Sequence, residues 1–102
     1  MPLPATAARL HAAIERFRRT SVLIVGDVML DQFVVGRVSR ISPEAPVPVV
    51  EFEHDEYRVG GASNVAHNVR ALGGAVELVG LTGSDGAGQR LRRLLGELGI
   101  GI

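Results

Sequence analysis

Two short segments hold side chains whose types and spacing suit ligand chemistry. The first is Gly26-Asp27-Val28-Met29-Leu30-Asp31, directly after the apolar run Val22-Leu23-Ile24-Val25. Open α/β sheets bind ligands outside the carboxyl ends of their strands. A carboxylate placed there accepts hydroxyl protons from a vicinal diol, as a sugar presents. A solvated turn aspartate is the alternative reading, open for Asp31 and more strongly so for Asp27. The second segment is Gly60-Gly61-Ala62-Ser63-Asn64, a glycine pair at the entrance of a helix. Paired glycines let backbone approach a ligand or swing as a hinge, and a helix amino terminus favours an anion or polar oxygen. Asn64, one turn in, would aim its amide at the same place. Read alone, the glycine pair also fits a plain turn.

The composition removes several other chemistries. All 11 basic residues are Arg and none is Lys, so no Lys nucleophile, Schiff base or P-loop lysine exists in this sequence. There is no Cys, hence no disulfide, thiol catalysis or ordinary zinc site. His11, His54 and His67 are too dispersed to indicate a metal, and His67 is expected on the surface of the second helix. Eleven acidic residues balance the arginines, so no net field draws the chain to nucleic acid or to an anionic membrane. No run reaches membrane-spanning length, and the arginines near the start interrupt any secretory core. The expectation is a soluble cytoplasmic protein.

The elements that must position these residues emerge from periodicity. With 102 residues the chain has room for one domain or part of one, and 46% apolar with 22% charged residues suits a packed interior. Residues 5–19 place Leu10, Ala13, Ile14 and Phe17 on one stripe, predicting a leading helix that packs on the elements after it. Val22–Val25 is apolar on both faces, predicting a strand covered on both sides. Residues 32–57 differ: Phe33–Val38 and Val49–Glu53 read as strands, joined by a segment whose three prolines (Pro43, Pro46, Pro48) exclude helix. They predict a small flap standing off the main sheet. Ala62, Val65, Ala66, Val69 and Leu72 then predict a helix, Val76–Leu81 a strand, and Ala87–Leu98 a helix capped by Ser84 or Asp85. The last residues, 98–102, read as a helix end and the opening of a third core strand.

In combination these pieces resemble the start of the ribokinase-like (PfkB) carbohydrate kinases: strand–Gly-Asp-x-x-x-Asp, a proline-bearing flap, Gly-Gly-Ala-x-Asn opening a helix, then strand–Thr-Gly-x-Asp-x-x-Gly. The fold implied is α/β, a partial ribokinase-like Rossmann-type sheet with a small projecting β lid at about 32–57. Residues 1–20 would form the leading helix, and 21–102 the amino-terminal part of a truncated kinase domain. The resemblance puts Asp31, Gly60, Gly61 and Asn64, with Asp27 nearby, on the sugar. It puts Gly83, Asp85 and Gly88 in a second glycine turn, read as structural. Ser39-Arg40-Ile41-Ser42-Pro43-Glu44-Ala45-Pro46-Val47-Pro48-Val49 is similar to the lid of heptose-7-phosphate kinases, which serve the bacterial route to ADP-heptose for lipopolysaccharide core.

That resemblance implies a substrate already bearing a phosphate, for which Arg40 and Arg58 are candidate partners, an exposed surface arginine being the other reading of each. It also implies ATP and Mg2+ bound mainly outside this segment, and a catalytic aspartate in a Gly-Ala-Gly-Asp turn beyond Ile102. Here Gly86-Ala87-Gly88 is followed by Gln89. The segment is therefore expected to be inactive alone, with no catalytic residue of its own. A homodimer through the lid is a further implication. Three rival readings stand beside this one: a kinase of another sugar or nucleoside in the same family, a non-catalytic lid-mediated dimerisation module, and a dinucleotide-binding domain. The last wants Gly-x-Gly-x-x-Gly after the first strand, which Gly26-Asp27-Val28-Met29 does not supply.

Overall fold

The computed structural model describes residues 6–101. Their order is α1 (Ala7–Glu15), a 3-10 turn (Arg16–Arg19), β1 (Ser21–Val25), β2 (Val28–Ile41), β3 (Pro48–Gly61), α2 (Ala62–Ala71), β4 (Ala75–Val79) and α3 (Gly86–Glu97). The strands form two sheets of different kinds. β1 and β4 pair in parallel, Ser21 opposite Ala75 through Val25 opposite Val79, with α2 as the crossover between them. β2 and β3 pair antiparallel as a long ribbon, from Val28 opposite Gly61 to Ile41 opposite Pro48. Gly101 bridges in parallel to Glu77 on the other side of β4, and its carbonyl accepts the Leu78 N–H at 2.9 Å. The third core strand expected at the end of the sequence does open there; Ile102 lies outside the described residues.

The core forms where α2 and α3 meet these strands. Val76 and Leu78 of β4, Ala66 of α2, Leu91 and Leu95 of α3, Val59 of β3 and Ile100 are buried together. Their spacing explains the elements: alternate residues on the strand, and four-residue steps on α3. Asp85 caps α3, its Oδ1 accepting the Gly88 N–H at 2.9 Å. Gly88 packs so tightly on the Gly83 carbonyl that a side chain there would overlap it. The Arg92 guanidinium also reaches back to Thr82 Oγ1 at 2.7 Å and to the Gly83 carbonyl at 3.1 Å. The second glycine turn is thus closed on itself, in line with the structural role expected for it.

Three expectations need correction. The β1 strand is not covered on both sides: Leu23 and Val25 are 63% and 71% exposed, because no described element packs on that face. The α1 stripe does not pack either. None of its residues is buried; Ala13 is half-buried, and Phe17, beyond the helix, is half-buried and borders a hollow with Val22, Val69 and Leu72. Residue 5 of the predicted helix lies outside the described residues.

The third correction concerns the ribbon. It spans residues 28–61 rather than about 32–57, since antiparallel hydrogen bonding begins at Val28, immediately after the Gly26-Asp27 turn. Fourteen residues at about 3.3 Å each make a strand of roughly 46 Å, which accounts for a molecule 60 Å in its longest dimension. Its inner end is anchored in the core by Val59, with Val28 and Leu30 packed alongside. Its outer end projects.

Candidate functional site

Cross-strand partners share a ribbon face, and side chains alternate between faces along each strand. Asp31 is opposite Arg58, Phe33 opposite Glu56, and Val35 opposite His54, so one face of the ribbon is largely polar. The other face carries Leu30, Val59 and Tyr57 near the core, then Val34, Val38, Val50 and Phe52 further out.

Asp31 is therefore a residue of β2, not of the turn after β1 as its sequence neighbourhood implied. The ribbon register fixes what lies beside it. Its carboxylate rests against Gly60, where any side chain would collide with both carboxylate oxygens. Gly61 comes next with φ 58°, a conformation open mainly to glycine, and a side chain there would strike the Asp27 carbonyl. That same carbonyl accepts the first helical N–H of α2, from Ala62, at 2.7 Å. The glycine pair thus lets β3 turn sharply into α2 while keeping Asp31 close to the helix mouth.

Asp31, Arg58, Gly60, Gly61 and Asn64 border one hollow of about 590 Å³. Five of the seven residues singled out in the sequence are brought together in this way. The other two are not. Asp27 borders a neighbouring hollow of about 540 Å³, with Gly26, Met29, Gly80 and Leu81 at the carboxyl ends of β1 and β4. Arg40 sits near the outer end of the ribbon opposite Val49, nine residues along β2 from Asp31, roughly 30 Å at strand spacing. Within this chain it lies far from the hollow.

Arg58 is already engaged. Its Nη2 donates to Glu56 Oε2 at 3.1 Å, and its guanidinium lies 4.9 Å from the centre of the Phe33 ring. His54 Nε2 lies 3.3 Å from the other oxygen, Glu56 Oε1. The hydrogen bonds from His54 and then from Arg58 hold the Glu56 carboxyl below its ordinary value. All three side chains are substantially exposed, so the network contributes orientation more than stability.

The hollow also takes in residues that no motif marked. His67, expected on the surface, is half-buried and borders it with Asn68, while Leu94, Glu97 and Leu98 close it from α3. The available signal was helical spacing: 67 and 68 lie three and four positions after Asn64, hence on the same face of α2. The α3 residues carried no local signal, because only tertiary packing brings that helix alongside. Among the described residues no cluster of three or more His, Asp or Glu could hold a metal ion.

Residues 19–102 match the pfkB family of carbohydrate kinases. The chain belongs to that family. It is 56% identical over 86 residues, 84% of its own length, to a D-beta-D-heptose 7-phosphate kinase of Bordetella bronchiseptica. It is 56% identical over 93 residues, 91% of its length, to the bifunctional protein HldE of Azotobacter vinelandii. A third relative, the bifunctional protein HldE of Pectobacterium carotovorum, is 57% identical over 91 residues, 89% of the chain. The matched stretches make up 28%, 20% and 19% of those three relatives. In fold, the mixed α/β arrangement of parallel and antiparallel pieces is that of part of a ribokinase-like domain.

Proposed function

We propose that this chain forms the sugar-gripping wall of an ATP-dependent carbohydrate kinase. Its substrate would be D-glycero-D-manno-heptose 7-phosphate, phosphorylated at the anomeric hydroxyl on the route to ADP-heptose in the cytoplasm. The observation that carries the reading is the gathering of Asp31, Gly60, Gly61 and Asn64 around one hollow. It is supported by extended identity to a relative whose name specifies the heptose phosphate. In this reading the Asp31 carboxylate accepts hydrogen bonds from two sugar hydroxyls, and Asn64 contributes an amide that donates and accepts. The Arg58 guanidinium turns from Glu56 to the substrate phosphate, which it grips through two parallel hydrogen bonds. Asp31 orients the sugar and is not the base. Its loss would act on binding and alignment, which still lowers rate strongly.

The residues described do not fit ATP or Mg2+. The Gly88 N–H of the glycine turn before α3 is taken by Asp85, and among the described residues no cluster of three or more His, Asp or Glu could hold Mg2+. ATP, Mg2+ and the aspartate base are assigned to parts of the kinase domain outside this segment.

The test transfers the segment. Residues 19–102 replace the matching stretch of the B. bronchiseptica kinase, and the hybrid is assayed for ATP-dependent phosphorylation of heptose 7-phosphate, fructose 6-phosphate and ribose. Turnover of the heptose, abolished or strongly reduced by Asp31→Ala, is the expected result. Brisk turnover of another sugar with none of the heptose would replace this reading with the broader one, a family kinase of different specificity.

The outer ribbon favours a second element of the proposal, pairing between two copies. Val34, Val38, Val50 and Phe52, each about half exposed or more, make the outer part of one ribbon face largely apolar, with Asp55 opposite Val34 at its inner edge. Such an exposed ribbon is a template for association with its like.

A further inference from the structure

Arg58 has two carboxylates near it on one face of the ribbon, and its choice between them decides what the hollow presents to a ligand. Asp31 stands directly opposite it on β2, where oppositely charged partners of an antiparallel pair ordinarily meet. Glu56 lies two residues back on β3, hence on the same face. The guanidinium goes to Glu56: Nη2 donates to Oε2 at 3.1 Å, and the group leans over the Phe33 ring at 4.9 Å. Both contacts draw it toward the outer end of the ribbon. The Asp31 carboxylate leans the other way, against Gly60 beside the mouth of α2. Among the described residues Asp31 forms no ion pair with Arg or His, and it is exposed.

Such a choice is held by small energies. An exposed ion pair is worth little alone, so the Glu56 pair prevails through its supports. His54 Nε2, 3.3 Å from Oε1, keeps Oε2 turned toward Arg58, and Phe33 offers the guanidinium its ring. Without Glu56, the carboxylate left to Arg58 across the ladder is Asp31. A guanidinium there can take both carboxylate oxygens through parallel hydrogen bonds, in competition with hydroxyl donors.

We propose that Glu56 is a positioning residue: it diverts Arg58 from Asp31 and so keeps the acid open to sugar hydroxyls until a ligand phosphate draws Arg58 away. This rests on the sugar-site reading of the hollow that Asp31 and Arg58 border. The consequence separates two ligand classes. Once Glu56 is lost, a sugar without phosphate meets an acid already paired with Arg58. A sugar phosphate frees the acid by attracting Arg58 to itself.

The experiment follows the 102-residue chain by NMR. In the unsubstituted chain the Arg58 Nε resonance should shift with Glu56→Gln and stay in place with Asp31→Asn. In the Glu56→Gln chain, adding Asp31→Asn should move it. A resonance that already responds to Asp31→Asn in the unsubstituted chain, or ignores it in the Glu56→Gln chain, would overturn the proposal. D-mannose and D-mannose 6-phosphate are then titrated, with the Asn64 side-chain amide in the hollow as reporter. Glu56→Gln should weaken D-mannose about three- to fivefold, the size of one exposed ion pair, and leave the phosphate ester within about twofold. Adding Arg58→Leu to Glu56→Gln should restore D-mannose binding, a recovery that a fold defect does not allow. Neither residue belongs to the buried core, so the ribbon should persist in both variants. Unaltered D-mannose binding in Glu56→Gln, equal loss of both ligands, or no recovery in the double variant would each refute the diversion. If neither ligand shifts Asn64 in the unsubstituted chain, the sugar-site reading falls and the role of Glu56 toward a ligand falls with it. The Arg58 resonance then still reports whether Glu56 holds the arginine, so the two failures are told apart.

Discussion

The carboxylate of Asp31 lies against the bare Cα of Gly60 on the neighbouring strand, so the space that holds the acid is the space a side chain at 60 would fill. Gly60→Ala is therefore expected to displace the carboxylate rather than the backbone, because residue 60 is buried within a continuous ladder. Sugar-phosphate affinity should fall by roughly tenfold or more, with a stability loss of about 1–3 kcal/mol from overpacking. Calorimetric titration alongside thermal unfolding reads both. Unaltered affinity in the folded variant would show that Asp31 does not depend on this gap.

Arg90 of α3 places its guanidinium 3.9 Å from the centre of the Tyr57 ring, at the point where the ribbon leaves the core. The contact ties α3 to β3 beyond the buried Val59. Arg90→Ala should cost about 0.5–1 kcal/mol. Amide exchange in β2 and β3 near residues 32–34 and 55–57 should quicken, while exchange in β4 stays as it was. Uniform quickening across the molecule would instead mark a general loss of stability.

Much of this arrangement could be read from residues alone, and the parts that could not share one physical cause. Val22–Val25, the helix from Ala62 and the α3 stripe of Leu91 and Leu95 announce themselves by local period. Gly60-Gly61 and Asn64 are contiguous, so their common location needs no tertiary knowledge. The start of β2 at Val28 is different. It depends on hydrogen bonding to β3 at Gly60 and Gly61, more than thirty residues away, and no local pattern encodes that register. For the same reason Arg40, close to Asp31 in sequence, is far from it in space, whereas Leu94 and Glu97 are near. His67 had a local signal in its spacing from Asn64, but its half-burial could not be read from the sequence. Leu23 and Val25 show the opposite case: an apolar pattern whose covering layer the described residues do not provide.

Glu56 links His54 to Arg58, and its carboxyl is held below the ordinary value of 4.5, first by the His54 hydrogen bond and then by that of Arg58. A depressed acid stabilises the folded state while ionised. Its contribution is present above the ordinary carboxylate value and is lost as pH falls through the lowered one. Titration of the Glu56 side-chain carbonyl by carbon-13 NMR should thus give a midpoint below 4.5, moving up toward it in His54→Ala. A midpoint at or above 4.5 in the unsubstituted chain would contradict the network. Because the groups are exposed, the effect should shrink in high salt.

Phe52 is 64% exposed on the apolar ribbon face, opposite Gly36, with Val38 and Val50 paired beside it. An aromatic ring facing a residue without a side chain leaves a ridge beside a notch, a shape that a second copy of the same ribbon can fill. Related by a two-fold axis, each Phe52 would cover the other copy's Gly36, so one substitution removes two contacts. If two chains pair through this face, light scattering after size exclusion should give a mass that rises toward the dimer with concentration. Phe52→Arg should return it to the monomer, since pairing would then bury two unpartnered guanidinium groups. The ribbon should persist in this variant, because residue 52 contributes nothing to the core. A monomer at all concentrations in the unsubstituted chain, or a dimer indifferent to Phe52→Arg, would exclude association through this face.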